Sequence, residues 1–313
     1  MRRAVIDIGT VTTRLLVAEC DIDGVRPLLK ESIITNLGKG LVGTGALSDE
    51  AIARVVAAID AHAASMLGLG IDLGTAEGRD AVAAIATSAA RDASNASDLV
   101  DALLERGIRL EVISGEREAL LSFSGATVDF PGEGLLVFDI GGGSTELVLG
   151  DRLAGETPVI RRRHSFDVGC RRALELFPVS DPPALSELEA IVAWARSELV
   201  PFFEGLDGGV RRAIGVAGTP TSLVSIAESL DPYDPTRVHG YVMGVDDARA
   251  LADRLFAMTL AERKQVVGLQ PERADVMVPG ALIMQAVMEL AGLGSFTVSE
   301  SDNMLGLLLD WPR

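Results

Sequence analysis

Two aspartates stand at the ends of apolar runs and are each followed by Ile-Gly: Asp7 in RRAVIDIGTVTTRLLVAE and Asp139 in GLLVFDIGGGSTELVLG. Each unit reads as a strand, a turn of small and polar residues, and a second apolar strand. A glycine-rich turn lets backbone N–H groups approach a ligand closely and converge on an anion. Neighbouring hydroxyls add donors. Gly9, Thr10 and Thr12, with Arg14 just beyond, offer this in the first copy, and Gly141, Gly142, Gly143, Ser144 and Thr145 offer it in the second. An aspartate repels phosphate, but it can hold a divalent cation that touches phosphate oxygens. A phosphate gripped between two such turns is the chemistry these residues suggest. GVAGTPTSL repeats the logic as a strand, a small-residue loop and a helix N-terminus that can bind anions, with Gly218 and Thr219 as candidates. A further carboxylate source is ISGEREA, where Glu116 and Glu118 open a helix. Spacing alone does not choose between them.

The elements that must position these residues recur in order. Three strands joined by tight turns begin the chain, followed by a helix from LSDEAIARVVAAIDAHAASMLG with Ser48 as its N-cap. AVAAIATSA is a short buried strand, NASDLVDALLERG a helix, IRLEVISG a strand and EREALLSFSGAT a helix. At Leu135 the pattern restarts with a second meander, a long helix, and the strand VRRAIGVAG. Further helices follow: VDDARALADRLFAM, LAERKQVVG, and a stretch with Pro279 inside it, where a kink or break is expected. SFTVSES is a last strand and DNMLGLLLDW a last helix. This weak internal repeat predicts two similar α/β domains meeting at a cleft. The boundary falls near the helix at 116–130, giving a first domain over 1–119 and a second over 120–300, with 301–313 free to pack back on the first.

The chain has 313 residues, of which 48% are hydrophobic, as a core-forming protein requires. No apolar run reads as long enough to span a membrane. The N-terminus reads as a strand because Asp7 interrupts it, so a cytoplasmic location is expected. Cys20 and Cys170 are far apart, and the three histidines are scattered, which argues against a disulfide framework or zinc cluster. A net charge of −17 argues against general binding to nucleic acid or anionic membrane. A polyanionic substrate then requires clustered cations, and Arg161, Arg162, Arg163 and His164, with Arg171 and Arg172, are the candidate track.

Taken in order, DIGTVTTRLL, ATSAARDASN, ISGEREALLSFSG, DIGGGSTELVLG, SFDVGCRRALELF, GVAGTPTSL and ERADVMVPGALIM resemble the exopolyphosphatase / guanosine pentaphosphate phosphatase family. The likeness runs to about residue 300 and is greatest to the short actinobacterial exopolyphosphatases. It implies two ribonuclease-H-like domains of the actin/hexokinase superfold, with an active-site cleft between them. It implies Mg²⁺-dependent release of terminal phosphate from inorganic polyphosphate, with guanosine pentaphosphate as the rival substrate, and a homodimer. It selects Glu118 as the catalytic carboxylate and Arg91 as a phosphate-gripping residue. Asp139 and Glu146, with Asp7, become the metal neighbours. The chain departs from the family pattern at Val11, usually Asn or Thr, and at Met304, usually arginine. Both departures keep a non-catalytic sensor of alarmone or polyphosphate in view. A sugar kinase of the same superfold fits less well, because its cysteine-rich zinc motif is absent.

Overall fold

The computed structural model describes residues 1–22, 24–206 and 209–311. The first half builds a five-stranded sheet from β1 (Arg2–Ile8), β2 (Thr12–Asp21), β3 (Gly24–Ile34), β4 (Val82–Ala86) and β5 (Leu110–Val112), in the order β3-β2-β1-β4-β5. β1 pairs antiparallel with β2 and parallel with β4. The second half repeats the plan with β6 (Gly132–Ile140), β7 (Thr145–Arg152), β8 (Val159–Phe166), β9 (Arg212–Val216), β10 (Val242–Gly244) and β11 (Ser295–Val298), in the order β10-β11-β9-β6-β7-β8. β6 is antiparallel to β7 and parallel to β9. The short strand β10 extends the second sheet at an edge, and its three residues carry no period for a sequence reading to detect.

Both central strands are apolar on both faces because both faces are covered. Ile6 and Ile8 meet Val55, Ile59 and Leu99 from the helices Asp49–Gly68 and Ala96–Leu104. Val5, Leu16 and Ala18, on the opposite face, meet Met304, Leu305 and Leu308 of the terminal helix Asn303–Leu309. Met304 is therefore a core residue, 0% exposed, beneath the first sheet. In the second half, Leu136 and Phe138 belong to a core with the helices Leu185–Phe203, Gly218–Ala227 and Met277–Ala291. The helix Gly115–Ala126 lies at the junction. Its Ala119 and Phe123 pack with Val137 and Val148 of the second sheet, and Leu121 packs with Ile85 of the first.

Three expectations change. Pro279 causes no break in the helix Met277–Ala291. It falls in the first turn, where the missing N–H has no intrahelical partner to lose. In LAERKQVVG only Leu260–Arg263 is helical, and that turn is fixed by a reciprocal cap between Thr259 and Glu262. The helix Asp49–Gly68 is long and apolar enough to cross a membrane by length and composition. Its buried face, with Val55, Ile59 and Met66, supplies the first core, while Asp49, Glu50, Arg54 and Asp60 stay on its other faces.

Candidate active site

The register places the two Asp-Ile-Gly units alike and gives them opposite electrostatics. Asp7 lies directly across from Arg14 on β2, and Asp139 lies directly across from Glu146 on β7. The first pair neutralises itself: Arg14 Nε donates to Asp7 Oδ2 at 2.9 Å, and Nη2 makes a second contact with the same oxygen. The second pair sets two carboxylates face to face, which is destabilising unless a proton or cation intervenes. Both are buried, Asp139 at 6% and Glu146 at 1% exposure. Burial pushes Asp139 up to about 6 despite the Ser122 hydroxyl that donates to it at 2.7 Å. Burial, with Glu118 and Asp139 nearby, raises Glu146 well above its ordinary value, and the Ser165 hydroxyl donates to it at 2.7 Å. Glu146 is thus no solvated strand residue.

One cleft is lined by Asp7, Gly9, Thr10, Thr12, Arg14, Glu118, Asp139, Gly141, Gly142, Gly143, Ser144 and Gly218. The turns themselves touch: a Cβ on Gly142 would lie 2.6 Å from Val11 Cγ2 and 2.8 Å from Thr10 Cβ. Only glycine allows this approach. Val11 packs with Cys170 and Val276. An apolar side chain there seals the first turn against the second half, which a polar family residue would do less well. The remaining candidates stand apart from the lining. Thr145 spends its hydroxyl on the Val168 carbonyl. Thr219 faces the helix Met277–Ala291, where a Cβ on Gly280 would meet its Oγ1 at 2.4 Å. Glu146 lies one residue beyond Thr145, across from Asp139, and is not part of the lining. Arg91 reaches the cleft through Glu118, to which its Nη1 donates at 2.7 Å.

Glu118 and Glu116 separate clearly. Glu116 points outward to Arg163, whereas Glu118 is 7% exposed and lines the cleft. Ser114 caps the helix by accepting from the Arg117 N–H at 3.2 Å, and this sets Glu118 in the first turn. Burial pushes Glu118 up to about 7, against the opposing pull of Arg91. We therefore expect Arg91→Met to move the acid limb of the pH–rate profile upward by about 1–3 units, because an adjacent cation lowers a carboxylate pKa by that amount. A limb that stays in place in kcat measured from pH 5 to 9 would remove Arg91 from this role.

The arginine row does not form a free cationic track. Arg161 pairs with Asp151, Arg163 with Glu116, Arg172 with Asp92 and Arg171 with Asp275. Arg162 donates to the Phe202 and Glu204 carbonyls. An acidic surface supplies partners for its cations, so a run of arginines in sequence is consumed in place. Arg172 also donates to the Gly143 carbonyl at 2.8 Å, which braces the second turn from behind.

The lining also includes Arg273, Asn303 and Ala217, which are not among the expected site residues. Arg273 projects beside Gly218, where a Cβ would lie 1.5 Å from its Nη1, and burial lowers its pKa. Asn303 comes from the terminal helix, and Ala217 precedes Gly218. The Arg273 signal was available in ERADVMVPG, but nothing local tied that segment to the turns. Ala217 has φ 67° and ψ −171°, a region essentially reserved for glycine. Ala217→Gly is expected to raise stability by about 1–2 kcal/mol, the relieved strain less the extra chain entropy of glycine. Urea unfolding reads this, and an unchanged midpoint would count against strain.

Among the described residues no group of three His, Cys, Asp or Glu is poised around a metal position. The donor set nevertheless fits Mg²⁺, which takes one or two carboxylates and completes its shell with water and phosphate oxygens. Asp7 Oδ1 is buried without a hydrogen-bond partner, and the Asp139–Glu146 pair needs positive charge to ionise fully.

Two copies of one α/β plan, closing glycine-rich turns and carboxylates around a single cleft, define the two-domain actin/hexokinase-like class. The chain belongs to the Ppx/GppA phosphatase family, whose model matches residues 16–311. It is 35% identical to Exopolyphosphatase 2 of Mycobacterium tuberculosis, over 98% of each chain. An exopolyphosphatase from Cytophaga hutchinsonii superposes with a TM-score of 0.86 at 29% identity, covering 99% of this chain and 97% of that one. The Aquifex aeolicus PPX-GPPA enzyme gives 0.80 at 27% identity, covering 99% of both.

Proposed function

We propose that this chain is an exopolyphosphatase that releases orthophosphate from the end of inorganic polyphosphate. The observation that carries the reading is that Glu118 lines the same cleft as both Asp-Ile-Gly turns. The terminal phosphoryl group lies between the N–H groups of the two turns, with the Ser144 and Thr10 hydroxyls as added donors. Glu118, kept partly ionised near neutrality by Arg91, orients a water in line with the scissile bond. The water oxygen bonds to phosphorus as the bridging P–O bond breaks, the proton passes to Glu118, and the shortened chain departs as the anion. Asp139, Glu146 and Asp7 are the residues that would hold Mg²⁺, which when bound neutralises charge on the phosphoryl oxygens. Activity then rises with pH through about 7, because Glu118 must be ionised to act.

A second substrate, guanosine pentaphosphate, is favoured by one feature. The cleft continues past Arg14, Gly218 and Arg273 into a cavity lined by Thr221, Ser222, Tyr233, Gln270 and Ser299. Such walls suit the sugar and base of a nucleotide. Phosphate release from long polyphosphate, short polyphosphate and guanosine pentaphosphate with Mg²⁺ ranks the substrates. No release from any of them, with binding retained, would replace the hydrolase reading by a sensor. A homodimer in the cytoplasm completes the reading. Family resemblance supports the dimer, which light scattering tests, and the two free cysteines fit a reducing compartment.

A further inference from the structure

Arg14 makes four hydrogen bonds, and they come from opposite ends of the chain. Nε and Nη2 bind Asp7, seven residues away on the neighbouring strand. Nη1 binds Asp302, and Nη2 donates to Asn303 Oδ1 at 2.9 Å. Asp302 is itself fixed. Its Oδ1 caps the terminal helix by accepting from the Met304 N–H at 3.0 Å, and Lys30 Nζ stands 3.8 Å from its Oδ2. The backbone at this point is seated against the helix that carries Glu118: a Cβ on Gly125 would lie 1.9 Å from the Asp302 carbonyl oxygen. The start of the terminal helix is therefore held both to Arg14 and to the helix that carries Glu118.

We propose that Asp302 and Asn303 are positioning residues for the cleft, holding Arg14 so that its charge is shared between Asp7 and Asp302. The consequence is electrostatic as well as geometric. With two carboxylates on one guanidinium, Asp7, which lines the cleft, is only partly neutralised and keeps one buried oxygen, Oδ1, unpartnered. Without Asp302 the full charge of Arg14 falls on Asp7, and the guanidinium loses its Nη1 anchor. The bearing on turnover rests on the exopolyphosphatase reading; the clamp does not.

The test compares the parent chain with Asp302→Asn and with Leu308→Ala, which loosens the same helix from beneath the sheet without touching Arg14. Hydrogen exchange of the Arg14 Nε–H is followed by nitrogen-15 NMR, with the signal assigned through Arg14→Lys, alongside kcat and KM on polyphosphate. The expected result for Asp302→Asn is Nε–H exchange at least about tenfold faster, with kcat lowered about tenfold and KM within about twofold. Leu308→Ala is expected to lower the unfolding midpoint and leave both readings near the parent. Unchanged exchange in Asp302→Asn overturns the clamp. Faster exchange with unchanged kcat, or an equal loss in Leu308→Ala, overturns its role in turnover. A parent chain that releases no phosphate from polyphosphate overturns the substrate assignment, while the exchange comparison still decides the clamp.

Discussion

Glu118→Gln is expected to lower kcat on polyphosphate by about 10²–10⁴-fold, the usual contribution of a positioned general base. Glutamine has nearly the same shape, and its carbonyl oxygen can still accept from Arg91, so the local structure has no reason to change. Stability should move the other way. A carboxyl whose folded pKa is raised favours folding while protonated, below its unfolded value near 4.5, and loses that contribution as pH rises through about 7. Glutamine does not titrate. At pH 8 the variant should therefore unfold at the same temperature as the parent or higher, while turnover collapses. Calorimetry and phosphate release on the same preparations check both halves. A kcat within tenfold of the parent would sink the role of Glu118 and return attention to the metal side of the cleft.

Asp139→Asn should be nearly as damaging for a different reason. Asp139 and Glu146 face each other across β6 and β7, both buried and both raised by that burial. Their ionised forms are costly unless a cation sits with them, and on the proposed reading that cation is Mg²⁺. Replacing Asp139 removes one of the carboxylates that would attract the cation and leaves Ser122 a carbonyl oxygen to donate to. We expect kcat to fall by about 10²–10³-fold, on the scale of losing one preorganised electrostatic group. The Mg²⁺ concentration for half-maximal rate should rise with it. In buffer at pH 8 containing a chelator, the variant should unfold at a higher temperature than the parent, since one uncompensated carboxylate is gone. A Mg²⁺ titration of rate and a thermal scan with and without the ion provide the measurement. Retained activity with an unchanged Mg²⁺ requirement would mean that Asp139 does not hold the ion.

The two predictions share a pattern in which the site carries charge that the fold would be more stable without. The first turn carries less of this conflict, because Arg14 sets a positive charge against Asp7 within one strand pair. The second turn concentrates it. The internal repeat has thus diverged in charge while keeping its backbone, and the two halves contribute differently to one cleft.

What the sequence determined by itself was local. Strand–turn–strand units with Asp-Ile-Gly are recognisable because strand periodicity, glycine turns and helix caps are all encoded within about ten residues. The order of those units specified two α/β halves, and the motif order specified the family. What needed the tertiary structure was every partnership across the chain. Glu116 and Glu118 are equivalent until the helix Gly115–Ala126 turns one toward Arg163 and the other into the cleft. The arginines of 161–163 look like a binding track until their carboxylate and carbonyl partners are seen. Met304 looks like a lost functional residue until it is found beneath Val5 and Leu16. Arg14 meets Asp302 across 288 positions of sequence, and Arg273 donates to Thr12 Oγ1 across 261. The physical reason is the same in each case. Backbone conformation is governed by neighbours along the chain, whereas the charge state and direction of a buried side chain are set by whatever the fold places within a few ångströms of it.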